Sequence, residues 1–281
     1  MSTTTLQRPA TPSAVHLTFG RVVASEWRKL FSLRSTWWTL GLAVLLQVGM
    51  AAILGAAARA VAASGQGTLP VDGVQAASAG LQFSQLAIVA LAVLTITAEY
   101  SSGQIRVTLA AVPRRTPVLL AKALVLTGVV LVTAVVSSAL SVGALALVAG
   151  EHISFALPGA ESARILAGAP LYLVGIAVLS LGVGALMRHT AGAIAALMGF
   201  LLVIENVFAA IPWKPLQIIS PWLPGTAGSR LMSTDADIAA AQAVPHHVGA
   251  VLGAWQGYGV LVAWAVLALV AAVLVLRSRD A

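Results

Sequence analysis

Five of the few charged residues in this sequence fall within one short stretch, EYSSGQIRVTLAAVPRRTPVLLAK, which runs from residue 99 to residue 122. It lies between two long apolar runs and contains Glu99, Arg106, Arg114, Arg115 and Lys122. Arginine binds carboxylates through charge-assisted hydrogen bonds, and a carboxylate at the end of an apolar run is typical of an ion pair. These residues therefore indicate charge pairing. The candidate partners of Glu99 are Arg28, Lys29 and Lys122.

The sequence lacks the residues that catalysis or nucleotide binding would need. None of its lysines, Lys29, Lys122 and Lys214, follows a glycine, so it has no Gly-Lys-Ser/Thr phosphate-binding loop. It contains no cysteine, which excludes thiolate metal sites and cysteine nucleophiles. No histidine falls within an apolar run, and the adjacent His246 and His247 are poorly spaced to chelate one metal ion. We expect no catalytic residue, bound cofactor or metal in this chain.

Composition indicates a membrane protein, because 59% of the residues are hydrophobic and only 9% are charged. Six apolar runs have the length that a helix needs to cross a bilayer. They are 37–58, 80–98, 118–148, 165–187, 190–211 and 253–276. The predicted fold is an all-α membrane protein with a six-span domain over 37–276. The net charge of +7 is assigned to membrane orientation, and no nucleic-acid partner is expected.

The distribution of lysine and arginine predicts the orientation. With the N-terminus in the cytoplasm, the cytoplasmic set is Arg8, Arg21, Arg28, Lys29, Arg34, Arg106, Arg114, Arg115, Lys122, Arg188, Arg277 and Arg279. The outer set is only Arg59, Arg164, Lys214 and Arg230. Because cytoplasmic loops of membrane proteins are rich in these residues, both termini are expected in the cytoplasm.

The N-terminal region before the first span divides into two parts. Residues 1–18 are rich in Ser, Thr and Pro and predict a disordered cytoplasmic tail, and residues 277–281 form a second tail. Residues 19–36 predict an amphipathic helix that lies on the bilayer surface. Its central residues are Trp27, Arg28, Lys29, Leu30 and Phe31. Arg28 and Lys29 fall on its basic face, which suits anionic headgroups.

The segment 99–117 predicts a span, a short cytoplasmic helix and another span. Ser101 and Gln104 have the spacing of a capping box. The apolar face of the short helix is Ile105, Thr108, Leu109 and Val112, Arg106 flanks it, and Pro113 ends it. A surface helix with an apolar stripe and no partner in its own chain rests on lipid or docks into another protein.

Three further features carry expectations. Arg188 and His189, between the fourth and fifth spans, form either a second protein contact or a tight basic turn. Glu205, beside Asn206, is charged and deep in a span, so it lines a translocation path or dimer interface, or is hydrogen-bonded within its own bundle. The outer loop 212–252, rich in proline and tryptophan, predicts a re-entrant or surface-lying segment.

Two stretches, SEWRKLFSLRSTWWTL at 25–40 and ITAEYSSGQIRVTLAAVPRRTPVLLAK at 96–122, resemble the membrane (permease) subunit of bacterial type-2 ABC exporters. Glu99, Gly103, Pro113, Arg114 and Arg115 match that pattern, with a lysine entering the third span. The resemblance implies that the short helix couples to a cleft on a separate ATP-binding subunit, which carries ATP and Mg²⁺.

In such a complex Ile105, Leu109 and Val112 would fill the cleft, and the arginines would pair with its acids. Arg188 would make a smaller contact with the same subunit. The resemblance also implies a second permease copy, identical or related, and a non-catalytic chain in the plasma membrane. An apolar path with few fixed charges suits amphipathic drugs, peptides or lipids. The alternative is an ion-coupled secondary transporter or channel, for which Glu205 is the one ionisable group deep in a span.

Overall fold

A computed structural model describes residues 18–65, 67, 71–103, 115–243 and 249–279. Within these ranges all regular structure is helical, and six helices are long and apolar enough to cross a membrane. The prediction of six helices with the length and hydropathy to span a membrane is confirmed, and we call these the spanning helices. We call the end of the bundle at Leu33, Ser101 and Met187 the inner end, following the orientation that the basic residues predict.

The six spanning helices are α2 (Arg34–Ala63), α4 (Leu81–Ser101), α5 (Arg115–Ala149), α6 (Gly159–Met187), α7 (Thr190–Ala210) and α11 (Ala254–Arg279). Helix α1 (Phe19–Ser32) precedes them, and α3 (Gly73–Ser78) leads into α4. The loop between α7 and α11 contains α8 (Lys214–Ile219), α9 (Pro224–Ser229) and α10 (Asp235–Ala243). Apolar runs become helices in lipid because a helix satisfies its backbone hydrogen bonds internally.

Helix α6 is the centre of the bundle, because it contacts α4, α5, α7 and α11. Small residues on α6 allow this close packing. A Cβ built at Gly175 would lie 2.7 Å from Leu261 Cδ2 of α11, and one built at Gly182 would lie 2.8 Å from the carbonyl carbon of Ala268. Glycine at these positions therefore brings the backbones of α6 and α11 together.

The outer loop re-enters the bundle, which is one of the two arrangements that its sequence predicts. Helix α9 is buried through Pro224, Gly225, Ala227 and Gly228. A Cβ at Gly228 would lie 2.6 Å from Leu261 Cδ2 of α11 and 2.9 Å from Tyr172 Cδ2 of α6. The segment thus packs between two spanning helices. Residues 244–248 of this loop lie outside the described residues.

Three local features of the helices differ from what the sequence predicts. Leu33 has an extended backbone and interrupts the helix. Helix α1 therefore ends at Ser32, and the first spanning helix already begins at Arg34. Helix α4 continues to Ser101, whose hydroxyl donates to the Ala98 carbonyl (3.1 Å), so Ser101 ends a helix where the capping box predicted a new start. The fifth span contains a π-helical segment, Gly199–Ile204, immediately before Glu205.

Candidate functional site

Four charged side chains from three helices meet at the inner end of the bundle. Glu26 and Lys29 come from α1, Glu99 from the last turn of α4, and Lys122 from the second turn of α5. Lys122 Nζ lies 2.5 Å from Glu26 Oε2 and 3.0 Å from Glu99 Oε1. Lys29 Nζ lies 2.6 Å from Glu26 Oε1 and 3.1 Å from Glu99 Oε1. Each lysine therefore binds both carboxylates, and we call this arrangement the ionic ring.

The ionic ring is largely buried and carries no net charge. The side chains of Glu26, Lys122 and Glu99 are 2%, 3% and 6% exposed, whereas that of Lys29 is 30% exposed. Removing charges from water is costly unless opposite charges compensate each other. Two lysines and two glutamates meet this condition, so the loss of a single member leaves an uncompensated buried charge.

The ionic ring shifts the pKa values of its two α1 residues, Glu26 and Lys29. Burial acts to raise the pKa of Glu26, but the charges and hydrogen bonds of Lys122 and Lys29 outweigh burial and hold this pKa below its ordinary value. Burial acts to lower the pKa of Lys29, and its hydrogen bond to Glu26 and the charge of Glu99 outweigh burial and raise it. Both groups are thereby held in their charged forms.

Packing of α1 against α5 places Glu26 and Lys29 beside Lys122. Val22 of α1 packs with Val118 and Ala121 of α5 in a small buried cluster. The angle between α1 and α2 is fixed by Thr36, whose hydroxyl donates to the Leu30 carbonyl across the break at Leu33 (2.6 Å). The first two helices thus form one elbow that rests on α5.

The five residues assigned to the surface of α1 separate in the structure. Leu30 is buried, Phe31 is partly buried, and Trp27 and Arg28 are exposed. Lys29, placed by its helical position on a basic face toward headgroups, instead binds Glu26 and Glu99 inside the ionic ring, because two buried carboxylates attract it more strongly than solvent does. That α1 lies at a bilayer surface stays a prediction.

The pairing of Glu99 with Lys29 and Lys122 is confirmed. Glu26 is the member of the ring that the sequence analysis missed. Its one available signal was its spacing, since Val22, Glu26 and Leu30 recur every fourth residue and form the buried stripe of α1. A lone glutamate among basic residues on an amphipathic helix reads more simply as a solvated side chain.

The segment between α4 and α5 starts at a defined backbone turn. Gly103 has a φ of +70°, the left-handed region that ends helices and that glycine adopts without strain. The hydroxyl of Ser102 donates to the Ala98 carbonyl (2.8 Å), which gives a hydrogen bond to one of the carbonyls in the last turn of α4. The coupling residues Ile105, Arg106, Leu109, Val112, Pro113 and Arg114 lie outside the described residues. Arg115 is the first residue of α5.

Arg188 forms the turn between α6 and α7. Its φ of +55° is left-handed, and its guanidinium carbon lies 5.2 Å from the centre of the Tyr100 ring of α4. His189 caps α7, because its Nδ1 accepts a hydrogen bond from the Gly192 amide (3.0 Å). The residues therefore form a tight turn with a cation–π contact to α4. A contact of Arg188 with a second protein stays a prediction.

Glu205 is hydrogen-bonded within its own bundle, which was one of the arrangements considered for it. Its side chain accepts hydrogen bonds from the Gly225 amide (2.9 Å), the Thr226 amide (2.5 Å) and the Thr226 hydroxyl (2.9 Å). Asn206 points to the exposed side, and its amide donates to the Leu202 carbonyl (2.7 Å). Glu205 thus fastens the re-entrant α9 to α7, a role that its sequence neighbours did not reveal.

A cleft of about 440 Å³ opens beside the ionic ring, between the elbow of α1 and α2 on one side and α4 on the other. Leu30, Leu33, Leu91 and Leu94 form its apolar walls, and Glu99 and Lys29 contribute its charged part. Within the described residues no group of three or more His, Asp or Glu side chains is arranged to hold a metal ion. The site therefore combines a set of ion pairs with a cleft that has apolar walls and a charged part.

Comparison with known proteins gives no assignment, since no protein-family model matches the chain and no curated protein matches its sequence.

Proposed function

We propose that this chain is the permease subunit of an ATP-driven ABC exporter in the bacterial plasma membrane. A separate subunit binds ATP and magnesium and hydrolyses the nucleotide, and the chain itself is not an enzyme. Two permease chains, identical or related, form the path across the bilayer. Both termini and the segment 99–117 face the cytoplasm.

The ionic ring is the observation that carries this proposal. Glu99 precedes the segment between α4 and α5, and Lys122 follows it, yet Lys122 Nζ lies 3.0 Å from Glu99 Oε1. The two ends of the segment are therefore held together, and Lys29 and Glu26 add α1 to the same point. Glu99 acts as a positioning residue in this proposal.

A segment anchored in this way is suited to transmit force. A displacement applied to it acts on α4 and α5 directly and on α1 through the ring, because these helices share ion pairs. The chain has no phosphate-binding loop of its own, and in this proposal a partner supplies the force. The resemblance at 25–40 and 96–122 supports an ATP-binding subunit as that partner.

The geometry of Glu205 favours this proposal over an ion-coupled carrier. A carrier driven by protons or sodium uses an ionisable group in the membrane that exchanges its ion along the path. Glu205 accepts three hydrogen bonds from α9, two of them from backbone amides that no side-chain rotation can remove. Such a carboxylate is suited to hold a helix in place.

Co-purification tests the proposed partner. The chain is co-expressed with the ATP-binding protein encoded beside it, and Arg114→Glu with Arg115→Glu reverses two charges in the segment. We expect this variant to lose the ATP-binding protein on affinity purification, because its acids would meet acids. The matched control is Arg277→Glu with Arg279→Glu, which makes the same charge change in the C-terminal tail and should retain the partner. Undiminished association of the first variant would refute the docking role.

Orientation is tested with single cysteines, for which the chain offers a clean background because it contains none. Val107→Cys places a thiol in the proposed coupling segment. Ser64→Cys places one at the C-terminal end of α2, opposite the inner end of the bundle. A membrane-impermeant maleimide added to intact cells should label the second variant alone. Labelling of Val107→Cys from outside would show the opposite topology and refute the proposal.

The alternative is tested with the purified chain alone. Liposomes that contain it and a pH-sensitive dye should show no proton flux beyond that of empty liposomes, with or without a sodium gradient. Rapid flux driven by the gradient, without ATP or any partner, would replace the ABC proposal with the ion-coupled one.

A further inference from the structure

The cleft beside the ionic ring has the features of a binding site for a molecule that donates hydrogen bonds. Glu99 lines it and is 5% exposed. Its Oε1 accepts from both lysines, whereas its Oε2 is buried and accepts no hydrogen bond from the described residues. A buried carboxylate oxygen without a donor is costly, so a donor at this point is stabilising.

The hydroxyl groups of the cleft are further acceptors, whereas its two cations, Lys29 and Lys122, already donate to Glu26 and Glu99. Five of its hydroxyl groups already give their hydrogens to backbone carbonyls, which leaves their oxygen lone pairs to face a ligand. These hydroxyls belong to Ser32, Thr36, Thr39, Thr95 and Ser102. A cleft lined in this way favours a ligand head with several N–H donors over one that only accepts.

The walls of the cleft require that the ligand also has an apolar part. Leu30, Leu33, Leu91 and Leu94 line it, and its volume of about 440 Å³ far exceeds that of a single water molecule, which occupies about 30 Å³ in the liquid. Trp37 and Trp38 at the start of α2 are 60% and 79% exposed, and tryptophan prefers the depth of lipid headgroups. The cleft therefore opens at the level where membrane lipids carry their polar heads.

We propose that this cleft binds an amphiphile whose polar head carries a primary ammonium group, with the ammonium on Glu99. Phospholipids with an ethanolamine head fit best, because the ionic ring is neutral and a zwitterionic head keeps the site neutral. Glu99 Oε2 is buried, and the terminal torsion of a glutamate is soft, so rotation of the carboxylate can present this oxygen to the cleft. This inference is independent of the proposed transport function.

Two lipids that differ in one chemical feature test it. Dioleoyl phosphatidylethanolamine has three N–H donors, and dioleoyl phosphatidylcholine has the same charge and tails but no N–H. We expect native mass spectrometry of the full chain in detergent to show about tenfold tighter binding of the ethanolamine lipid, the difference expected for a hydrogen bond to a charged group. Equal binding of the two lipids would overturn the proposal.

Two variants locate the binding. Glu99→Gln removes the charge that holds the ammonium and should abolish the preference for the ethanolamine lipid. Because that change also disturbs the ionic ring, Ala98→Leu provides a second route, since Ala98 lines the cleft and the larger side chain fills it. The matched control is Ala146→Leu on the exposed side of α5, which should bind both lipids as the unmodified chain does. An unchanged preference in both cleft variants would refute the site.

A competition experiment identifies the source of the ammonium. Dodecylammonium and dodecyltrimethylammonium have the same tail, and only the first donates hydrogen bonds. Displacement of the lipid by dodecylammonium alone would support the site as one for primary-ammonium amphiphiles in general, soluble ones included. Failure of both to displace it would support a site specific for the phospholipid. Equal displacement by the two detergents would show that N–H donation is irrelevant and would overturn the proposal.

Discussion

The two ends of the bundle bury carboxylates in different ways. At the inner end, Glu26 and Glu99 are neutralised by lysines that come from other helices or other turns. At the outer end, Glu205 is held by two backbone amides and one hydroxyl of the short helix α9. Close backbone contacts surround the outer site, as at Gly228 against Tyr172 and Leu261.

This difference indicates how the energy of each end changes when its helices shift. The attraction between charges falls slowly with distance, so the ionic ring keeps much of its energy when its helices shift slightly. Packing contacts and hydrogen bonds lose their energy within a fraction of an ångström to an ångström. The inner end is therefore built to tolerate movement, and the outer end is built to resist it.

The largest effect should come from breaking the ring. Lys122→Met leaves Glu26 and Glu99 buried with only Lys29 between them, which we expect to lower the free energy of unfolding by about 3–5 kcal/mol, as for other buried pairs that lose one partner. Thermal unfolding in detergent, followed by circular dichroism, measures it. The control Lys214→Met replaces an exposed lysine and should leave the melting temperature nearly unchanged.

A double variant sharpens this test. Glu26→Gln added to Lys122→Met restores a neutral set, so part of the lost stability should return. If the double variant is as unstable as the sum of the two single variants, the charges do not act as one ring.

The outer carboxylate should depend on hydrogen bonding. Glu205→Gln replaces an acceptor oxygen by an amide nitrogen that faces the backbone donors of Gly225 and Thr226, and we expect a loss of about 2–3 kcal/mol. The same unfolding experiment measures it. Asn206→Ala, on the exposed side of the same turn, is the control and should have little effect. Similar melting temperatures for the two variants would contradict the fastening role of Glu205.

The packing of the outer end is tested by two glycines of one helix. A Cβ at Gly257 would overlap the Ala227 carbonyl of the re-entrant segment, whereas Gly259 has no heavy atom within 4 Å of such a Cβ. Gly257→Ala should therefore destabilise the fold by about 1–3 kcal/mol. Gly259→Ala should be neutral or slightly stabilising, because alanine is the better helix former. Equal melting temperatures would place the re-entrant segment elsewhere.

The smallest effect should come from pH, because acid removes only part of the ring's charge. The pKa of Glu26 is lowered from its ordinary value of 4.5, so its stabilisation is complete above that pH and is lost as the pH falls through the pKa of the folded state. The pKa of Lys29 is raised from 10.5, so its stabilisation is complete below that pH and is lost as the pH rises through the raised value.

We expect thermal stability below pH 4.5 to decline less steeply in Glu26→Gln than in the unmodified chain. Asp237, whose pKa is also lowered, mainly by the Thr234 hydroxyl, contributes a separate acid effect. Asp237→Asn is therefore the control that measures how much of the acid-dependent loss of stability comes from Asp237. A decline in Glu26→Gln as steep as that of the unmodified chain would show that Glu26 is not held charged by the ring.

Features with a strong periodic or compositional signal were predictable from the sequence. The six spanning helices follow from runs of apolar residues, and the pairing of Glu99 followed from the cost of a charge at the membrane edge. Arg28, Lys29 and Lys122 were the candidates because few cations lie near that edge. That both lysines bind Glu99 together needed the structure.

Features that depend on contacts between distant residues were not predictable. Glu26 and Lys122 are 96 positions apart, and Glu205 and Thr226 are 21 positions apart. Neither pair has a local signature, because a glutamate has the same neighbours whether it is solvated or paired. The π-helical segment before Glu205 likewise has no marker in its sequence, GFLLVI.

The position of Glu26 has a consequence for how the protein is made. Glu26 leaves the ribosome 96 residues before Lys122, its closest partner in the ring. During that interval α1 has no lysine from α5 to receive its carboxylate, so it waits in contact with water until the third span has been inserted. Docking of α1 against α5 can therefore be completed only after the third span has been made.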